Sequence, residues 1–267
     1  MMIKQQKIEW WQTIFNEKYL KTYVDVLNPE VTNQQVAFLI KKLKLKKGAE
    51  ILDLACGHGR HAIELTRRGY DVTGLDYSKH FINIARETAK KFKIDVKFVQ
   101  DDMRQLSYEK KFDAVINMFT SFGYFDNEND NIIVLRKIAR ALKPGGKFLI
   151  DLNNAVRTII HIVKKGKEDK KTGNFIEPSK DYLSNGLVVT TKNEWNPVAM
   201  QWSMTRSWKE KGKLMSYRTN VRLFVFPELK HLLEENGLKV KNVWGDFEGS
   251  TFKFDSRRLI ILAIKEK

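Results

Sequence analysis

The sequence predicts an α/β fold: a doubly wound, seven-stranded, mostly parallel sheet, with N-terminal helices before it and an antiparallel β insertion after its fifth strand. Three observations carry this expectation. Between residues 50 and 152, short apolar runs alternate with segments of helical period, as in a parallel sheet covered on both faces. Two glycines follow the first run at once, the mark of a sharp strand-to-helix turn. Beyond residue 155 the pattern changes to alternating or aromatic runs separated by turn residues, which reads as hairpins.

Residues 1–47 read as a helical cap. Trp11, Ile14, Phe15 and Tyr19 share one helical face, Pro29 breaks the chain, and Thr32 to Gln35 resemble a capping box ahead of the stripe Val36, Leu39, Ile40 and Leu43. Residues 48–154 form the core. Strands are expected at 51–55, 71–75, 96–99, 112–118 and 147–152. Helices are expected at 60–68, after Ser78, and before the Lys143-Pro144-Gly145-Gly146 stop. Residues 155–226 form the antiparallel insertion, with runs at 186–191, 200–208 and 215–225. Residues 227–267 add a helix with Pro227 in its first turn, then two strands that complete the core sheet.

Composition narrows the function. Hydrophobic residues make up 42% of the 267 residues, so a core can form, and no run is long enough to span a membrane. The first seven residues lack an apolar signal core and Cys56 is the single cysteine, so a cytoplasmic setting without disulfides is expected. Net charge is +16, and residues 155–222 hold 14 Lys/Arg against 6 Asp/Glu. That attracts polyanions, but lysines spread over solvated faces give the same sum. His58 and His61 lack the further ligands that a metal site needs, so no metal is expected.

Chemistry concentrates in the 51–62 segment, where a buried strand runs into Gly57, Gly59 and a helix start. Glycines let a ligand approach the backbone, and the free N–H groups of the helix add positive potential. Gly57-x-Gly59-x-x-Ala62 fits a loose dinucleotide fingerprint, with Asp76 after the second strand as a ribose acceptor. Asp53 argues for another ligand, because a dinucleotide site needs apolar packing there. A carboxylate at that place suits the ammonium of a ligand with an amino-acid group, such as S-adenosylmethionine (SAM).

On these residues the chain resembles the class I SAM-dependent methyltransferases, most clearly over residues 48–152. Asp53-x-Ala55-x-Gly57-x-Gly59 resembles the glycine-rich motif, with Ala55 where Gly is commoner. The Gly74–Ser78 stretch, with Asp76 and Tyr77, resembles the ribose-binding motif, and Asp102-Met103 the adenine-binding one. The 112–117 run ending in Asn117 resembles the fourth motif, and residues 142–146 the turn that follows. The 117–125, 244–250 and 255–258 stretches resemble a bacterial and archaeal branch of small-molecule-type methyltransferases. The resemblance implies a Rossmann-like methyltransferase fold. It also implies SAM as cofactor, held by Asp53, Ala55, Gly57, Gly59, Asp76, Tyr77, Asp102, Met103 and Asn117, and an insertion that roofs the acceptor pocket.

The expected reaction is methyl transfer to O or N of a small metabolite. Catalytic residues are not legible. Tyr124, Trp202 and Arg222 are candidates for the acceptor, with Thr120 and Ser121 beside Tyr124; each also has a packing or ion-pair reading. Tyr19 and Tyr23 either close over the cofactor or pack. Rival readings are a tRNA or rRNA methyltransferase using the basic insertion, a non-catalytic SAM-binding module, and a nicotinamide oxidoreductase, which Asp53 disfavours. A nucleic-acid partner is possible on charge but not favoured; the oligomeric state is not legible.

Overall fold

The computed structural model describes residues 8–266. The reading of the first seven residues lies outside the described residues. Three helices open the described chain: α1 (Trp11–Ile14), α2 (Glu17–Thr22) and α3 (Pro29–Leu43). The aromatic face from Trp11 to Tyr19 is divided between two short helices, because Phe15 leaves the helical region and the Asn16 side chain caps α2. Helix α3 begins earlier than the capping-box reading implies. Pro29 occupies its first turn, where a fixed φ is favourable, and Asn28 caps it by accepting from Val31 N at 2.9 Å. The Thr32–Gln35 stretch is therefore helix interior, and both Thr32 and Gln35 are buried.

The core then alternates β1 (Glu50–Leu54), α4 (Arg60–Arg67), β2 (Asp71–Asp76), α5 (Lys79–Lys91), β3 (Lys97–Gln100), β4 (Phe112–Asn117), α6 (Glu128–Ala141) and β5 (Leu142–Asn153). After the insertion come α8 (Phe226–Glu235), β11 (Leu238–Trp244) and β12 (Arg258–Lys265). The seven strands lie in the order β11-β12-β5-β4-β1-β2-β3, with β1 to β5 parallel and β12 antiparallel to both its neighbours. Successive side chains alternate between two cores. Leu52, Leu54, Val115, Phe148, Ile150 and Ile261 pack on one face; Ile51, Ala114, Ile116, Leu149, Ile260 and Leu262 pack on the other. Strand order reverses direction between β1 and β4, so a crevice opens at their carboxyl ends.

The insertion departs from the hairpin expectation at its start. Residues placed in the antiparallel insertion form helix α7 (Ala155–Lys165), capped by Asn154, whose side chain accepts from Val156 N. The strands β6 (Lys167–Asp169), β7 (Asn174–Tyr182), β8 (Val188–Asn196), β9 (Gln201–Glu210) and β10 (Lys213–Arg222) follow in one antiparallel sheet, order β10-β9-β8-β7-β6. The lysines between residues 164 and 171 divide among three places. Lys164 and Lys165 end α7, where cations suit the helix C-terminus, Lys167 opens β6, and Lys170 and Lys171 sit at a turn.

Helix α2 is tied to this second sheet. Thr22 Oγ1 lies 2.7 Å from Tyr217 Oη, Lys21 pairs with Glu210 at 2.9 Å, and Arg206 donates to Thr22 O at 2.7 Å. No helix among the described residues is long and apolar enough to cross a membrane.

Candidate active site

The loop from β1 to α4 shapes the floor of the crevice. Ala55, Gly57 and Gly59 all take positive φ, at 59°, 56° and 81°. At Gly59 a Cβ would meet Phe98 and Ala85 at 2.8–2.9 Å, so only glycine lets α4 start this close to α5 and β3. Ala55 carries a Cβ in the left-handed region, a strained conformation at the mouth of the site.

Above this loop a cleft of about 850 Å³ is lined by Ala55, Gly57, His58, Arg60, Asp76, Tyr77, Asp102, Met103, Ser121 and Tyr124, with Trp11, Phe15, Tyr19, Phe81, Phe119 and Phe125 among its apolar walls. Asp76 is held by two backbone donors at 2.8 Å, Gly57 N on one carboxylate oxygen and Ser78 N on the other. Each oxygen keeps a lone pair for a ligand hydroxyl. Burial pushes the Asp76 carboxyl up to about 6, opposed by those two amides.

Asp53, Gly59 and Asn117 stand behind this lining. Asn117 Nδ2 donates to Leu54 O at 3.0 Å and so clamps β4 to β1 at their carboxyl ends. Asp53 is fully buried, and neither carboxylate oxygen has a well-formed hydrogen bond, the Ala62 amide being its nearby donor. Burial pushes its carboxyl up to about 7; the Arg60 guanidinium moderates the rise, the Asp76 charge adds to it, and the Ala62 amide opposes it.

Arg60, the first residue of α4, completes the opposite half of this arrangement. Its Nη1 donates to Gln35 Oε1 at 2.6 Å and to Thr32 Oγ1 at 3.1 Å, while its Nη2 is buried without a partner. Burial lowers it to about 10, against the pull of Asp53 and Asp151. His61 Nε2 lies 2.8 Å from the same Gln35 oxygen. Burial, reinforced by Arg60, lowers His58 to about 4 and His61 well below its usual range, so both rings are neutral at pH 7. Sequence reading passed over Arg60. The signal was its place beside the second glycine, facing Asp53.

Asp102 is otherwise engaged. Its two oxygens take the Arg104 guanidinium at 2.7–3.2 Å, and Arg104 also pairs with Glu9 at 3.1 Å and Asp130 at 2.8 Å while lying over Trp11 and Phe125. Both Asp102 oxygens are thus engaged at the position expected to meet an adenine.

A second cavity adjoins the first. Phe15, Tyr19, Phe119 and Tyr124 line both; Tyr23, Val26, Thr120, Asn153, Trp202, Met204, Thr219, Val221 and Arg258 complete the second. Its shared wall is strained: Phe119 and Thr120 both take positive φ, at 62° and 59°, unusual for an aromatic and a β-branched residue. Asp151 and Arg258 hold them there. Asp151, fully buried, accepts from Phe119 N at 2.9 Å through Oδ2 and from Arg258 Nε at 2.6 Å through Oδ1. Its carbonyl accepts from Thr120 N. Of the acceptor candidates, Tyr124 and Trp202 thus meet at one cavity. Arg222 does not join them: its guanidinium is taken by Glu228 and lies over Phe224, outside both linings.

A family model described as a methyltransferase domain matches residues 51–146. The chain is 34% identical over 224 residues to "Putative methyltransferase YqeM" of Bacillus subtilis (strain 168), covering 84% of this chain and 87% of that one. The chain belongs to the methyltransferase family. This methyltransferase is also 25% identical over 259 residues to the glycine/sarcosine N-methyltransferase of Halorhodospira halochloris, covering 94% and 90% of the two chains. Its fold matches a solved S-adenosylmethionine-dependent methyltransferase from Clostridium acetobutylicum with a TM-score of 0.76 at 18% identity, over 94% and 98% of the chains.

Proposed function

We propose that the methyltransferase moves a methyl group from SAM to a small-molecule acceptor in the second cavity. The observation that carries this reading is the unpartnered Nη2 of Arg60 in the cleft lining, with the buried Asp53 carboxyl behind that lining. Buried polar groups without partners are costly, and a ligand that engages Arg60 and offsets the Asp53 charge is favoured. A zwitterionic amino-acid group does so: its carboxylate meets Arg60, and its ammonium feels the field of Asp53 from behind the lining. Asp76 then receives the ribose hydroxyls, and Tyr77 and Met103 flank the base. A nicotinamide dinucleotide would instead set its pyrophosphate against Asp53 and Asp76.

SAM supplies an electrophilic sulfonium methyl; the chain's part is to bind, align and exclude water. The shared wall of Phe15, Tyr19, Phe119 and Tyr124 is the dry junction between cofactor and acceptor. Strands β9 and β10 roof the acceptor side through Trp202, Met204, Thr219 and Val221. Likeness to a fold titled SAM-dependent and to a relative named as an N-methyltransferase supports the reading.

Calorimetry tests it. SAM and its demethylated product S-adenosylhomocysteine (SAH) are expected to bind, with NAD inert. Asp76→Ala is expected to weaken SAH by about 1.5–3 kcal/mol through loss of charged hydrogen bonds. Tight NAD binding with no response to SAH overturns the reading.

A further inference from the structure

We infer that the acceptor is an amine, methylated on nitrogen, and that the second cavity is an aromatic seat for its ammonium form. The inference rests on the methyltransferase reading and adds the chemical class of the acceptor.

Four observations carry it. Six aromatic rings contribute to the lining, Phe15, Tyr19, Tyr23, Phe119, Tyr124 and Trp202, and the faces of Tyr23 and Phe119 already carry the Arg206 and Arg60 guanidiniums at 4.7 and 5.6 Å. Such faces attract cations and repel anions. Next, the lining contains no Asp, Glu, His or Lys. Its three tyrosines are no substitute for a base, because burial raises the phenol pKa of each and keeps them protonated. Third, the cation in the lining, Arg258, is committed to Asp151 at 2.6 Å and to Thr120 Oγ1 at 3.1 Å, and Arg60, behind the Phe119 ring, lines only the first cavity, so this lining holds no free positive charge for an anionic nucleophile. The neighbouring Arg206 lies over the Tyr23 ring, outside the lining, and pairs with Asp181 at 3.5 Å. Finally, Asp151, the carboxylate that holds the cavity wall, is spent on Arg258 and Phe119 N.

These facts separate the acceptor classes. An aliphatic hydroxyl needs a base to become nucleophilic, and the cavity supplies none. A carboxylate or phenolate is nucleophilic without a base but needs an unpaired cation. An amine needs neither. Its ammonium form releases a proton to water, and the neutral nitrogen's lone pair then forms the N–C bond as the S–C bond breaks. Positive charge thereby passes from sulfur to nitrogen, leaving a thioether and a methylated ammonium that later loses a proton to water where the amine can. Charge is positive at both ends of this step, and aromatic walls suit it throughout.

The full chain, free and saturated with SAH, is titrated with choline and with 3,3-dimethylbutan-1-ol, which replaces the quaternary nitrogen by carbon. Choline is expected to bind at least tenfold more tightly than its neutral isostere. Trp202→Ala is expected to cut that preference to less than threefold while leaving SAH affinity unchanged, because Trp202 lines only the second cavity. Equal binding of the two probes, tighter binding of the alcohol, or binding of neither overturns the amine seat. Absence of SAH binding overturns the cofactor reading separately, since the probes are also compared on the free chain. In a parallel assay with labelled SAM, small amines and their hydroxyl counterparts are offered in pairs. Label on the amines is expected; label confined to the hydroxyl members overturns the inference.

Discussion

Asp53 has a measurable effect on the ligand-free protein. Its carboxyl is pushed up to about 7 by burial, against an ordinary carboxylate near 3.8. Between about pH 4 and 7 the folded chain therefore holds a proton that the unfolded chain has released. Stability of the free protein falls as pH rises through that window, by up to about 1.4 kcal/mol per pH unit. Asp76, pushed up to about 6, adds to the lower part of the same window. Asp53→Asn removes the orphaned charge, so at pH 8 it is expected to raise stability by about 2 kcal/mol in urea unfolding. It is also expected to weaken SAH about tenfold. In the parent protein, SAH binding releases protons below pH 7, so affinity rises with pH up to about that point; in Asp53→Asn this slope flattens. Calorimetry in buffers of different ionisation heat reads the proton count directly. Arg60 shows why half of this device was illegible in the sequence. An arginine at the start of a helix usually faces solvent; its burial here follows from Thr32 and Gln35, some 25 residues away on α3.

At the scale of elements, α2 matters most because it joins the core to the second sheet. Arg206 is the main tie: it is buried, donates to Thr22 O at 2.7 Å and lies over the Tyr23 ring. Arg206→Met keeps much of the apolar stem but leaves the buried Thr22 carbonyl without its donor, at a cost of about 2 kcal/mol. Amides of residues 17–27 are expected to exchange hydrogen faster, ahead of those in the core strands. The core elements were readable because strand and helix periods alternate cleanly and each helix has a capping or stop residue. Helix α7 was not, because Val156, Thr158, Ile159, Ile160, Ile162 and Val163 are β-branched and weaken the helical signal inside a segment assigned to the antiparallel insertion. Strand β7 was masked by Pro178 in its interior; β6 pairs only as far as Ile176, so Pro178 lies where one side of β7 has no neighbour. The capping-box reading at Thr32 failed because Pro29 and Asn28 start the helix first. Site residues carried by the glycine-rich loop were legible from spacing alone. The second cavity was not, since its walls come from six separate parts of the chain.

For the whole molecule, the charge of +16 poses the question of a polyanionic acceptor. Several insertion cations are already paired: Arg206 with Asp181, Arg218 with Glu194, and Arg222 with Glu228. The lysines near residue 170 lie at a turn. RNA binding is therefore expected to be weak and to vanish by physiological salt, with no methyl transfer to bulk tRNA. A dedicated RNA site would show a log–log salt slope of about −0.7 per phosphate neutralised on a single strand. Filter binding of tRNA across a salt series, with labelled SAM present, measures both.

The wall common to the two cavities has a thermodynamic consequence. Phe15, Tyr19, Phe119 and Tyr124 face both ligands, so ordering these rings for one ligand is a cost already met when the second arrives. The two affinities are then linked, and the linkage is reciprocal: whatever factor SAH adds to choline binding, choline must add to SAH binding. A factor of about 5–20 in each direction is expected from paired titrations. Replacing Phe119 by Leu, which thins the wall without opening the chain, is expected to reduce both factors together. The four rings would thus let either ligand's arrival shape the seat that the other enters.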